Sequence, residues 1–333
     1  MTHTTSNIRF VSSEQRWARA KGVANRVMVF EPKGYYPRGT LHVPNGVFHA
    51  DTEISFSIVK GESWSSLDPD APFSEFDWAS PQELRLISSL LLCERRDDAY
   101  IRFYPIVRYG HLLEEENIDL SRPSIVNDVK ALLLKLARNS KPGLMQDRIV
   151  NCLEKPYDLV EPDHYGFDRL LSFWKALSPA NYVVLRGIYA LVKSDMLSFH
   201  YEFSEEAIVS LYIALDASFT LVLRKLREDG VINPSSHDAA LWLHEHFDKP
   251  FGLPEPDITE KYFHEFYEQR VMTLHPASRY GDMPYSPIMH DDIPHLRRSL
   301  REIFAYIVLG THGPDYEEEV IWHKKHSEYS TNA

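Results

Sequence analysis

The sequence predicts an α+β fold in which a mixed α/β domain is followed by an all-helical domain. Short β-branched and aromatic runs, cut by prolines and glycines, fill residues 26–64. Helical periodicity dominates after Pro162. The chain has 333 residues, 44% of them hydrophobic, which is enough for two cores. We therefore expect a mixed domain over 1–150, a helical connector over 151–180, a helical domain over 181–312 and a C-terminal tail over 313–333.

The first domain combines predicted strands with two predicted helices. The clearest helix signal is Ser80-Pro81-Gln82-Glu83, because it supplies an N-cap, a proline at the first helical position and a capping-box glutamate. An apolar-rich run then extends to about Arg96. Further along, the pattern predicts a strand over 100–109 and a helix over 124–139.

The second domain is predicted to contain packed helices joined by short breaks. In the longest one, which Ser204 is expected to cap, apolar residues recur at steps of three and four until Asp229-Gly230. Apolar residues also cover much of its remaining circumference, so we expect it to be the central helix. The predicted helices are 167–177, 182–199, 204–228, 238–247, 259–274 and 294–309.

Composition excludes several classes of protein. No apolar run approaches the roughly 20 residues needed to cross a bilayer, and residues 1–7 lack the pattern of a signal peptide. Cys93 and Cys152 form neither a disulfide framework nor a C-x-x-C pair. The formal charge of −12 argues against non-specific attraction to nucleic acid. We expect a cytoplasmic chain without a cofactor and without a membrane partner.

Arg270, followed five residues later by His275, is the most informative chemical feature. A helical wheel of 259–274 places Arg270 near the centre of a stripe that holds Phe263, Phe266, Tyr267 and Leu274. A guanidinium there needs a partner or an interface, or else its stem packs while its head reaches water. His275 stands before Pro276 at the expected helix end, where it is either a proton-transfer group or a capping histidine.

The segment 267–275, Tyr-Glu-Gln-Arg-Val-Met-Thr-Leu-His, resembles the motif of HEPN domains, in which an arginine and a histidine are separated by four to six residues. Together with the helix order and the closing helix, this similarity to the Apea-like branch of defence proteins covers residues 181–312. The resemblance implies a symmetric homodimer that cleaves RNA without a metal ion. It also implies that Arg270 holds the scissile phosphate and that His275 transfers protons.

Asp216 is a further candidate catalytic residue, because HEPN domains often place a polar side chain on the central helix facing the motif. The alternative, which is the commoner case for an aspartate at such a position, is a rim aspartate bonded to a neighbouring side chain. Early in the closing helix, Arg297, Arg298 and Arg301 are candidate RNA-binding residues. The alternative for these three is a solvated face paired with acids such as Asp291 and Glu302.

Two functions therefore compete. The first is a metal-independent endoribonuclease of a defence or toxin type. The second is a non-catalytic HEPN-like module that binds RNA, a nucleotide or a partner, and it is favoured by Val271, where active members of the family usually carry a polar residue, and by Pro276 in place of the common glycine. A metal site is not expected, because neither His244-Glu245-His246 nor His323-Lys324-Lys325-His326 has a recognised ligand spacing.

Overall fold

The structure, a computed structural model, describes residues 8–11, 23–62, 79–95, 101–105, 111–139, 156–274 and 292–330. The chain divides into two compact units. Unit 1 comprises Met1–Glu94 and Ala99–Ala180, and unit 2 comprises Arg95–Asp98 and Asn181–Ala333. The predicted α+β fold class is confirmed, since the antiparallel sheet lies in the N-terminal part and helices form the C-terminal part. Residues 156–180 group with unit 1, and the predicted tail groups with unit 2.

Unit 1 is built on a five-stranded antiparallel sheet of order β3-β4-β5-β1-β6. A short parallel pair, β2 with β7, forms a second sheet. Asn45, with φ of 60°, closes the turn between β3 and β4, because asparagine tolerates this left-handed conformation better than most residues. The strands are β1 Val23–Phe30, β2 Tyr35–Pro37, β3 Gly39–Val43, β4 Gly46–Ala50, β5 Ser55–Glu62, β6 His111–Leu112 and β7 Asp158–Val160.

Three helices accompany the sheet: α1 (Pro81–Leu91), α2 (Pro123–Asn139) and α3 (Leu170–Ala176). The predicted start of α1 is confirmed, since the Ser80 side chain accepts from the backbone N–H of Glu83 and the Glu83 side chain accepts from that of Ser80. The same carboxylate pairs with the Arg26 Nε at 3.0 Å, so the cap also ties α1 to β1.

The strand predicted over 100–109 is not found in its described part. Residues 101–105 make only isolated bridges, Tyr35 with Arg102 and Phe30 with Pro105. Proline has no N–H to continue a ladder, which explains the interruption at Pro105. Residues 106–110 lie outside the described part of the chain.

Unit 2 is helical throughout its described part. Its helices are α4 Tyr182–Ser198, α5 Ser204–Glu228, α6 Ser236–Leu243, α7 His264–Leu274, α8 Asp292–Leu309 and α9 Pro314–Ser330. A π-helical turn, His244–Asp248, continues α6. Two predicted details differ from the structure: Ser204 lies inside α5 and makes no capping bond to its first turn, and α7 begins five residues later than predicted.

The long helix α5 occupies the centre of unit 2, as its apolar periodicity predicts. It packs against α4, α6, α7 and α8. Gly187 of α4 lets the helices approach closely, because a Cβ atom there would lie 2.4 Å from Phe304 and 3.0 Å from Ala217. Of the described helices, one, Tyr201–Glu228, is long and apolar enough to cross a membrane by length and composition, yet its packing within unit 2 already accounts for that composition.

Candidate functional site

The candidate site lies where α7 meets α5, and the residue before α7 explains how the two are held together. Tyr262 is buried, and its hydroxyl donates to the Ser218 Oγ of α5 at 3.0 Å. Its backbone N–H donates to the Ser236 carbonyl at the start of α6. Burial raises the pKa of the Tyr262 hydroxyl, while the Ser218 hydrogen bond acts in the opposite direction. Tyr262 therefore fixes the start of α7 against two helices.

Phe263 follows in the left-handed region, with φ of 46°, which is unusual for a bulky residue. The helix α7 begins directly after this residue, at His264. This explains the late start of α7. The predicted helix over 259–274 would have required right-handed helical angles at Phe263, and the buried Tyr262 anchor prevails over them.

Arg270 and Asp216 are brought together, although they lie 54 positions apart in the chain. The Arg270 Nη2 donates to the Asp216 Oδ2 at 2.8 Å. Side-chain exposure is 26% for the arginine and 54% for the aspartate, so the pair lies at the surface of unit 2 with the guanidinium the better covered partner. The Arg270 guanidinium also lies 5.9 Å from the ring centre of Tyr267.

The hydrogen-bonding capacity of Arg270 is only partly used. A guanidinium has five N–H donors, and in the described part of the chain Asp216 receives one of them. The Arg270 Nε is buried and has no hydrogen-bond partner there. The other donors of Arg270 therefore have no acceptor among the described residues.

The apolar stripe of α7 is only partly covered by the described part of the chain. No residue of α7 is fully buried, and Tyr267 and Leu274 are each 45% exposed. The sequence correctly places Arg270 among these residues, yet the stripe forms only a partly covered surface. Such a surface around a half-covered arginine is typical of an interface.

His275 and Pro276 lie outside the described residues, so the distance between Arg270 and His275 is not part of the site geometry. The neighbour of Arg270, Gln269, is a residue that sequence reasoning missed. It lies outside the apolar stripe of the wheel, yet it is half-buried. Its Nε2 lies 3.4 Å from the Asp292 Oδ2 of α8, and its Oε1 is buried without a partner in the described part of the chain.

The closing helix α8 requires a correction to the predicted RNA-binding residues. Arg297 is buried and forms a bidentate pair with Asp195 of α4, with both N–O distances at 2.8 Å. Arg301 is also buried and donates to Glu302. Arg297 and Arg301 are four positions apart and therefore share one face of α8, and that face is buried inside unit 2. Neither guanidinium lies on an open surface. Arg298 is exposed and lies 3.7 Å from Glu302.

The two histidine clusters do not form ligand sets. In the described part of the chain no group of three or more His, Cys, Asp or Glu side chains is placed to hold a metal ion. The His246 ring instead hydrogen-bonds the Tyr306 hydroxyl at 2.8 Å, and the His326 ring stacks on Trp322.

Comparisons of the chain with protein-family models, with curated proteins and with solved structures found no match. What unit 2 does must therefore be argued from its own residues, with the Arg270–Asp216 pair on α7 and α5 as the starting point.

Proposed function

We propose that unit 2 is a metal-independent endoribonuclease that acts as a homodimer in the cytoplasm. The observation that supports this best is the Arg270–Asp216 pair, because it joins the motif arginine to the one central-helix carboxylate that the HEPN resemblance singles out. A half-covered, oriented guanidinium is suited to stabilise the charge that develops on a phosphate in a transition state.

In the proposed reaction the ribose 2′-oxygen attacks the adjacent phosphorus, and the bond between phosphorus and the 5′-oxygen breaks. A 2′,3′-cyclic phosphate and a 5′-hydroxyl form. Arg270 contacts a phosphate oxygen through its remaining donors, and His275 transfers the proton at the 2′-oxygen or at the leaving 5′-oxygen. Asp216 is a positioning residue that holds the Arg270 guanidinium in place.

The cleavage test uses the full chain with structured and unstructured RNA in the presence of EDTA. We expect Arg270→Ala and His275→Ala each to lower the cleavage rate at least about 100-fold. The matched controls are Arg227→Ala, an exposed arginine on α5, and His264→Ala, an exposed histidine at the start of α7; both should cleave like the unmodified chain. Cleavage that survives in both motif variants, or that EDTA abolishes, would refute the proposal.

The exposed apolar residues of α7 support the homodimer. Tyr267 lies beside Arg270, so an interface there would also cover the proposed site. We expect the unmodified chain to sediment as a dimer and the Tyr267→Glu variant to sediment as a monomer that no longer cleaves RNA. Tyr182→Glu, at an exposed position of α4, should leave the oligomeric state and the cleavage rate unchanged. A chain that sediments as a monomer while cleaving RNA contradicts this part of the proposal.

A second candidate function is a non-catalytic module that binds RNA or a nucleotide. It is favoured by the same ion pair, since the Asp216 carboxylate already balances the Arg270 charge and competes with a phosphate for it. If the full chain binds RNA but cleaves none, and Arg270→Ala weakens that binding, the module is the better description.

A further inference from the structure

Unit 2 contains a cavity of about 410 Å³ bounded by the π-helical turn after α6, the residue before α7, and helices α8 and α9. Pockets of this volume hold ligands the size of a metabolite. The cavity does not include Arg270 or Asp216 among its lining residues, so it is distinct from the proposed ribonuclease site.

Aromatic rings form the walls of this cavity. Tyr316 is held in place because its hydroxyl donates to the carbonyls of His246 and Phe247 at 3.0 and 3.1 Å. The rings of Phe247 and Phe251 stand nearly perpendicular to it, at 82° and 86°, and Phe263 contributes a further ring. The lining thus contains four aromatic rings, and the negative face of such a ring attracts a cation.

Three carboxylates, together with Ser299 and His323, supply the polar part of the lining. Asp248, Glu302 and Glu319 all border the cavity. Glu302 is partly balanced by Arg301 and Arg298. Asp248 is different: it is half-buried, and no hydrogen bond or ion pair of its carboxylate is found in the described part of the chain.

The environment of Asp248 makes it the polar anchor of the cavity. Burial raises the pKa of its carboxyl group, with His244 acting in the opposite direction and Glu260 adding to the rise. A partly desolvated carboxylate without a partner costs free energy, and a bound cation would reduce that cost. The π-helical turn His244–Asp248 places Phe247 and Asp248 together on the cavity, as such turns often do at binding sites.

We propose that this cavity binds a small organic cation, a protonated amine with an apolar body, whose ammonium group pairs with Asp248 while its hydrocarbon part lies among the aromatic rings. The carboxylates of the lining are complementary to the ammonium group, and its aromatic rings are complementary to the hydrocarbon part. An anion would meet three carboxylates and a single basic side chain, His323, and a neutral apolar ligand would cover Asp248 without pairing with it.

The test uses the full chain and three probes of equal chain length: hexylammonium, 1-hexanol and hexanoate. We expect calorimetric titration to give saturable binding of hexylammonium, binding of 1-hexanol at least about tenfold weaker, and no binding of hexanoate. Equal affinity for hexylammonium and 1-hexanol, or no saturable binding of hexylammonium at about 10 mM, would overturn the proposal.

Two substitutions that each remove one negative charge test whether the cation binds in this cavity. Asp248→Asn should weaken hexylammonium binding about tenfold and leave 1-hexanol binding unchanged. Glu318→Gln, an exposed position on α9 that does not line the cavity, should leave both affinities unchanged. A photoreactive hexylammonium should label residues 243–253, Phe263, residues 299–303 or residues 316–323. Equal effects of the two substitutions, or labelling confined to other segments, would show that the cation binds elsewhere.

Discussion

Two arginine–aspartate pairs in unit 2 have the same chemistry and opposite surroundings. Arg297 and Asp195 join α8 to α4 with two parallel hydrogen bonds, and their side chains are 11% and 6% exposed. Arg270 and Asp216 join α7 to α5 with one hydrogen bond, at 26% and 54% exposure. The first pair uses its donors within the fold, whereas the second leaves donors of Arg270 without an acceptor in the described part of the chain. Exposure and the number of bonds therefore separate a structural arginine from a candidate functional one.

The largest expected effect comes from breaking the buried pair. Asp195→Ala leaves the Arg297 guanidinium buried without its carboxylate, and we expect the free energy of unfolding of unit 2 to fall by about 3–5 kcal/mol. Urea unfolding followed by circular dichroism measures this loss. Asp216→Ala is the matched control, and it should cost less than about 1 kcal/mol because its partner stays in contact with water. Equal losses for the two variants would remove the distinction between the pairs.

Double-mutant cycles sharpen the comparison by isolating each pairwise energy. For Arg297→Met combined with Asp195→Leu, we expect a coupling energy of about 2–3 kcal/mol, since the double variant leaves no unpaired buried charge. For Arg270→Met combined with Asp216→Leu, the coupling energy should be about 0.2–1 kcal/mol and should shrink in high salt. A larger value at the second pair would mark it as structural.

Tyr262 holds the start of α7, the helix that carries Arg270, so Tyr262→Phe tests how α7 is anchored. Removing the hydroxyl deletes the bond to Ser218, and we expect a loss of about 1 kcal/mol.

The Tyr262→Phe variant also tests how the stability of unit 2 depends on pH. Because the pKa of the Tyr262 hydroxyl is raised in the folded protein, the unfolded chain loses this proton first, and stability falls as pH rises above the ordinary tyrosine value of 10.0. Tyr262→Phe should therefore show a shallower loss of stability at alkaline pH than the unmodified chain, and an identical slope would contradict the assignment.

The smallest expected effect is on the stability contributed by Arg270 itself. Arg270→Met should change the free energy of unfolding by less than about 1 kcal/mol, because its only described ion pair is half-exposed. The same variant should lose RNA cleavage if the proposed function is right. A functional loss without a stability loss is the signature expected of a residue reserved for a ligand.

Local signals in the sequence were sufficient for much of the fold. The capping box at Ser80 and the apolar repeat of α5 depend on residues a few positions apart, so they could be read directly. The neighbourhood of Arg270 could be anticipated in part, because an arginine on an apolar stripe needs a partner, and Asp216 lies 2.8 Å away.

What could not be read from the sequence depended on distant partners. Arg297 meets an aspartate 102 positions earlier in the chain, and nothing within α8 indicates that this face is covered by α4. The left-handed Phe263 likewise has no local signal, since its conformation follows from the burial of Tyr262 against Ser218. A tertiary contact overrides helix propensity at Phe263, and a tertiary contact decides the burial of Arg297.

The shallow packing of α7 has a consequence for when the candidate site exists. With no fully buried residue, α7 contributes little hydrophobic free energy of its own, and local opening requires less energy than unfolding the bundle around α5. Its amide protons should therefore exchange with solvent well before those of α5. Anything that covers this helix, whether a second chain or an RNA strand, would then stabilise the very segment that carries Arg270 and so complete a cooperative folding unit.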